Sequence, residues 1–486
     1  MKHTLLLLFL FPFLIVSQTQ IGQGINGEAA FDQSGWGLSM SSNGNIVAIG
    51  SEGNDENGNN SGQVRVYENI NNVWTQIGSN INGEEAGDYF GYSISLSSNG
   101  NIVAIGSYVK NNYAGQVRVF ENINNVWTQI GQNINGESSQ DYFGSSISLS
   151  SDGNILIIGA YGNDESESDY GQVKVFENIN NVWTQKGQTL VGDGDYYKLG
   201  YTTNISSNGS IIAVSAPKDG GSNPQLGYVR MYEYVSNSWN QLGNTINASN
   251  IGDFFGSGLS LSSNGNIVAI GASSSDVNGV NSGQVQVFEN INNVWTQIGQ
   301  NINGGAAEDG FGYRVSLSSD GSILGIGAPS NDANGNRSGQ VKVFQNVNNT
   351  WTQIGNNING EAAEDQLGAN VSLSSDGSII AISSPWNITN GTLAGQVKVY
   401  DLSEVLSSDE FVLSQFSLYP NPAQNQVNIQ LQEGITFKKV TIYNTLGQFV
   451  STSKEKIINT TNLSSGMYLV EIETNQGKAT KQIVIE

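Results

Sequence analysis

The residue types that carry most enzymatic chemistry are nearly missing from this chain. It has no cysteine, and its one histidine is His3, inside an apolar N-terminal run that reads as a removable leader. Thiol nucleophiles, serine-histidine-acid triads, imidazole zinc sites and thiolate metal sites therefore have no residues to draw on. Carboxylates remain, with 42 acids against 19 basic residues and a formal net charge of −23. Many fall in clusters: Glu84, Glu85 and Asp88; Asp164, Glu165, Glu167 and Asp169; Glu361, Glu364 and Asp365. Paired carboxylates can hydrolyse glycosides when held about 5 to 9.5 Å apart with one pKa raised, and solvated loop acids meet that demand poorly. No catalytic residue is assigned. A glycosidase or lyase using carboxylates alone is the alternative to a binding protein.

The segments Asn54–Gly58 and Asn331–Gly335, with Asp276-Val277-Asn278-Gly279, offer side-chain and backbone oxygens to a cation, but they read more simply as Asn/Gly turns. Calcium is disfavoured, and no cofactor or metal site is expected. The negative charge argues against nucleic acid, whose phosphates it would repel. Tryptophans at 74, 127, 183, 239, 295 and 351 recur at one spacing, which suits packing better than a ligand box. Ligand-binding candidates are instead residues that break the repeat: Trp386 with Asn387, Tyr196 with Tyr197, and Lys218.

Positioning these residues falls to a repeated unit. A Ser-Ser-Asn/Asp-Gly turn places its glycine at Gly44, Gly100, Gly153, Gly209, Gly265, Gly321 and Gly377, and a Gly-Gln/Tyr-Val marker begins at Gly62, Gly115, Gly171, Gly227, Gly283, Gly339 and Gly395. Both series step by 56 residues with a single step of 53. Each unit holds four strand-like runs, the first two joined by a tight Asn-Gly or Asp-Gly turn. The second run is continuously apolar (Ile102-Val103-Ala104-Ile105), the third alternates (Val64-Arg65-Val66-Tyr67), and the fourth carries the tryptophan. Four antiparallel strands at this period describe a propeller blade. Thr19-Gln20-Ile21-Gly22 repeats Thr75-Gln76-Ile77-Gly78, whereas the seventh unit stops at Tyr400-Asp401 without a fourth strand. The sequence thus predicts an all-β fold: a seven-bladed β-propeller over residues 18–401, closed by an N-terminal strand that removes two exposed sheet edges.

The sixth unit, with Phe311-Gly312, Ser316-Leu317, Ile326-Gly327-Ala328-Pro329 and Gly339 to Phe344, resembles the FG-GAP repeats of the integrin α-subunit propeller. In that family some blades carry an aspartate-rich calcium loop between their first two strands. Here that link is only Ser-Ser-Asn/Asp-Gly, with too few carboxylates for the ligands calcium needs, so the family's calcium binding is not carried over.

The ends concern export. Met1-Lys2-His3 followed by the apolar run Thr4–Val16 predicts a signal peptide over residues 1–17, too short to span a membrane, and no transmembrane segment is expected after its cleavage. Beyond a linker over 402–412, residues 413–486 carry Leu418-Tyr419-Pro420-Asn421-Pro422, Ile442 to Gln448 (Ile-Tyr-Asn-Thr-Leu-Gly-Gln), and Leu463 to Val470 (Leu-Ser-Ser-Gly-Met-Tyr-Leu-Val). These resemble the type A sorting domain of the Bacteroidetes type IX secretion system. The resemblance implies a small immunoglobulin-like β-sandwich that engages the secretion machinery. The expected protein is secreted or held at the outer-membrane surface, where it binds or adheres to an extracellular glycan or protein.

Overall fold

A computed structural model describes residues 18–164, 169–217, 226–406, 416–431, 435–444, 448–474 and 477–486. The expected signal peptide, Lys218 and most of the expected linker lie outside these residues. Contacts divide the chain into one compact unit over residues 19–401 and another formed from residue 402 onward.

Among the described residues, the first unit contains seven sheets of four or five strands, all blade-like in order. In the second sheet, Ser93–Leu96, Ile102–Ser107, Gln116–Ile123 and Val126–Gln129 lie side by side and antiparallel. The turn between the first two is specified locally. Asn99 Oδ1 accepts from Ser97 Oγ at 2.8 Å and from the Asn101 N–H at 3.0 Å, while Gly100 takes φ +73°. A Cβ on Gly100 would fall 2.7 Å from Ile46 of the preceding sheet, so this glycine serves both the left-handed turn and the close approach of sheets. Val103, Ala104 and Ile105 are fully buried, as a continuously apolar strand requires.

Two features depart from the simple four-strand reading. The fourth run breaks at a left-handed glycine such as Gly78 (φ +72°), and the chain resumes as a two-residue strand, Ile81–Asn82, that pairs back onto the third strand. The alternating third strand is also covered on both faces, so that Arg65 and Arg118 are buried beside the valines.

Successive sheets are joined by two hydrogen-bonded series. The second serine of each turn donates its N–H to the carbonyl of its counterpart in the next sheet: Ser42 to Ser98, Ser98 to Ser151, and so on through Ser207, Ser263, Ser319 and Ser375, at 2.8–2.9 Å. Ser375 then donates to Ser42 at 2.8 Å, and the cycle closes. Farther out, each indole N–H bonds the preceding sheet's outer strand, with Trp127 on the Ile77 carbonyl at 3.0 Å and Trp295 on that of Leu242 at 2.8 Å. The last sheet takes its outer strands from the N-terminus: Thr19–Gln20 and Ile25–Asn26 pair with Gln396–Asp401. Trp74 of the first sheet donates to the Ile21 carbonyl at 2.9 Å, so that strand is held from both sides.

The second unit has a three-stranded sheet (Phe416–Tyr419, Gln426–Leu431, Ile457–Asn459) and a four-stranded one (Phe449–Ser453, Phe437–Asn444, Gly466–Thr474, Gly477–Ile485). Val427, Ile429, Val440, Ile442, Val470, Ile472 and Ile483 share one buried cluster. The sequence motifs pin its last strand: Asn421 accepts from the Val484 N–H at 2.8 Å and donates to the Gln482 carbonyl at 3.0 Å.

Candidate binding site at the channel mouth

The acids that appeared free in sequence are mostly occupied. Asp88 accepts from the Glu84 and Glu85 N–H groups and from Lys110 Nζ at 2.9 Å. Asp365 caps its own loop in the same way and accepts from Asn387 Nδ2 at 3.1 Å. The Asn–Asp link recurs as Asn54–Asp32, Asn163–Asp141 and Asn331–Asp309, so it is a clamp shared by several repeats, joining the second-to-third loop to the loop ahead of the first strand. Glu84 pairs with Lys110 and Arg118, Glu361 with Lys398, and Glu364 with Arg337. Asp164 accepts the Asp169 N–H; Glu165 and Glu167 lie outside the described residues.

The Asn/Gly segments are staples. Asn57, Asn278 and Asn334 donate through their amides to the carbonyls of Gly83, Gly304 and Gly360 at 2.7–2.8 Å. Among the described residues, no three His, Cys, Asp or Glu side chains gather as metal ligands would.

Of the residues singled out by asymmetry, Asn387 is buried and its amide is spent on Asp365 and the Thr389 N–H. Trp386 is partly buried beneath Arg337, 5.2 Å from guanidinium to ring, and its indole N–H is buried with no acceptor among the described residues. Tyr197 packs 5.3 Å from Tyr228, and Tyr196 takes a left-handed backbone at φ +60°. The structure does not gather these residues into one site.

It gathers a different set. Trp36, Tyr92 and Tyr201 begin first strands, Tyr108 and Tyr161 follow second strands, and Tyr142 and Phe254 end the loops between sheets. All are partly exposed at the end of the ring where the first strands start. Their rings form a continuous arc across five sheets. Trp36 and Tyr92 lie 6.0 Å apart, Tyr92 and Tyr108 4.2 Å, and Tyr108 and Tyr142 6.1 Å. Tyr142 and Tyr161 stack at 4.9 Å, and the arc continues to Tyr201 and Phe254. It borders a cavity of about 150 Å³ between the first strands, lined by residues of six sheets including Arg314 and Asn370. A larger cleft of about 660 Å³, among residues 249–253 and 274–281, has no aromatic ring in its lining.

Two titrating features mark the mouth. Burial pushes the phenols of Tyr92, Tyr108 and Tyr161 above the usual tyrosine range, which keeps them protonated even in alkaline solution. Glu52 stands in the repeat position of Tyr108 and Tyr161. It is buried with Oε2 unpartnered among the described residues, and burial raises its pKa to about 8. Neither the arc nor Glu52 emerged from the sequence reading. The available signal was that aromatic residues stand at offsets held by other residue types in further repeats, such as Ser145 and Ala369 at the Tyr92 offset and Gln33 and Gln366 at that of Tyr142.

Residues 135–176 and 303–344 match the FG-GAP repeat family, and residues 417–486 match the secretion system C-terminal sorting domain. The chain thus carries FG-GAP repeats and a type IX sorting domain. Such a tail marks a secreted protein, delivered to the cell surface or beyond it, and implies contact with the type IX machinery. No helix among the described residues is long and apolar enough to cross a membrane. No curated protein matches the sequence significantly. Among solved structures, Kuenenia stuttgartiensis hydrazine synthase is similar at a TM-score of 0.50 and 11% identity, over 80% of this chain and 98% of that one. A putative 6-phosphogluconolactonase from Bacteroides uniformis is similar at 0.48 and 13%, over 67% and 85%. U3-55K is similar at 0.47 and 11%, over 79% and 98%. At such identities the hydrazine synthase likeness speaks for the propeller-like fold alone.

Proposed function

We propose that this FG-GAP protein is a non-catalytic surface or extracellular binding protein whose ligand seat is the aromatic mouth of the channel. In this reading residues 18–401 are a seven-bladed β-propeller, and residues 413–486 are an immunoglobulin-like sandwich that directs export. The observation that carries the reading is the arc from Trp36 to Phe254. Partly exposed rings in mutual contact offer apolar faces to a ligand, and their phenols orient it by hydrogen bonds. Sugar rings suit such a surface, because flat faces stack while hydroxyls bond. Trp386, with its unpartnered indole N–H, is a second contact on the second-to-third loops.

The alternative enzyme reading has one specific support in Glu52, a carboxyl kept protonated near neutral pH beside the arc, as a general acid must be. A glycan array on the mature propeller, run beside a reducing-sugar release assay, separates the two. Binding without release supports the proposal. Sugar release that disappears in Glu52→Gln supports the enzyme and overturns the non-catalytic reading.

A further inference from the structure

The cavity below the arc contains an asymmetry of its own. At the first-strand position held by Gly37, Ser93, Ser146, Thr202, Gly258 and Asn370 in six repeats, the sixth repeat has Arg314. A long cation thus stands where the other six repeats place short neutral residues. Its Nε donates to Asn370 Oδ1 at 3.3 Å, and its Nη1 donates to the carbonyls of Ser257 and Tyr313 at 3.3 and 3.1 Å. The guanidinium also lies 4.6 Å from the Tyr313 ring. Every one of these partners is neutral. Among the described residues Nη2 has no acceptor, and no ion pair includes Arg314, although Arg65 and Arg118 each have a glutamate.

The other neighbours are phenols and hydroxyls, Tyr92 and Tyr201 with Ser93 and Thr202. Arginine cannot shed its proton, so the channel holds a permanent cation whose counter-charge must come from outside the fold. The space beside it is small, about 150 Å³, which suits a terminal group better than a polymer chain.

Building on the glycan-seat reading, we propose that the channel selects ligands ending in a single carboxylate, a terminal uronic acid, which pairs with Nη2 of Arg314 while its sugar lies against the aromatic arc. With Nε and Nη1 already committed to neutral acceptors, Nη2 is left to donate to a carboxylate oxygen, a charge-assisted bond stronger than one to a neutral acceptor. A polyanion is disfavoured, because a net charge of −23 repels a string of like charges. One carboxylate on an otherwise neutral sugar meets the cation at little long-range cost.

The test is calorimetric titration of the full mature chain with three probes: a neutral oligosaccharide capped by one glucuronic acid, the same oligosaccharide with that carboxyl reduced to the alcohol, and sodium acetate. The expected result is at least tenfold tighter binding of the acid than of its reduced form, with acetate competing at millimolar concentration. Arg314→Gln should erase the preference, and Arg314→Lys, which keeps the charge but moves the donor, should retain part of it. Melting curves establish that each variant is folded. If Arg314→Gln does not fold, the wild-type comparison and the lysine variant decide. Equal wild-type affinity for both oligosaccharides, or a preference that survives in folded Arg314→Gln, overturns the proposal. Acetate binding without discrimination between the oligosaccharides also overturns it, by assigning the cation to free anions. Equal affinities that both collapse in Tyr142→Ala would leave the aromatic seat standing and remove only the carboxylate selection.

Discussion

Ser375 donates its backbone N–H to the carbonyl of Ser42 at 2.8 Å, and that bond closes the inner series of seven serines into a cycle. At the periphery, Ile21 donates to the Val399 carbonyl at 2.8 Å as the N-terminal strand pairs with the last sheet. Deleting Gln18–Ile25 should therefore leave an open edge on that sheet. The expected outcome in a thermal melt is a Tm lower by several degrees, or aggregation on warming. An unchanged melt would contradict the closure.

The tryptophan latches predict a graded effect. Trp74 donates to Ile21 and Trp295 to Leu242, both with rings almost fully buried. Replacing either with phenylalanine keeps most of the apolar contact and strands a carbonyl, which should cost about 1 to 3 kcal/mol in chemical denaturation. The Trp74 variant should also expose the N-terminal strand to protease, and the Trp295 variant should not.

Glu52 predicts a pH dependence with a definite sign. Its pKa is raised from 4.5 to about 8 by burial, so the folded state binds its proton more tightly than the unfolded chain does. The penalty is absent below pH 4.5, grows as pH rises toward 8, and is constant above. Glu52→Gln should match wild type near pH 4.5 and exceed it at pH 8.5 by on the order of a few kcal/mol. Parallel stability curves for the two proteins across that range would contradict the assignment.

Export depends on the second unit. Removing residues 411–486 should leave a folded propeller retained in the periplasm, read by fractionation and limited proteolysis. Normal delivery of the truncated protein to the surface would show that the matched sorting domain is dispensable here.

The repeat was legible because each turn announces itself: Asn99 and Gly100 must be what they are for the hairpin to close, and their spacing recurs. The splice at Thr19-Gln20-Ile21-Gly22 was legible for the same reason, since it copies a strand found elsewhere. The site was not. Tyr92, Tyr108 and Tyr142 sit at three different offsets within the unit, and only the ring brings them into contact. Asp88 and Asp365 looked like solvated loop acids because their partners, Lys110 and Asn387, lie 22 residues away. Nothing in the sequence sets Arg314 apart, because only the fold places its strand beside the cavity.

The central claim is that the arc binds. Its most direct test is titration of the mature protein with the tightest glycan from the array, comparing wild type with Tyr142→Ala and Tyr161→Ala, the pair stacked at 4.9 Å. Both rings are partly exposed, so each loss should weaken binding by about 1 to 3 kcal/mol with little change in Tm. Undiminished affinity in both folded variants would contradict the account.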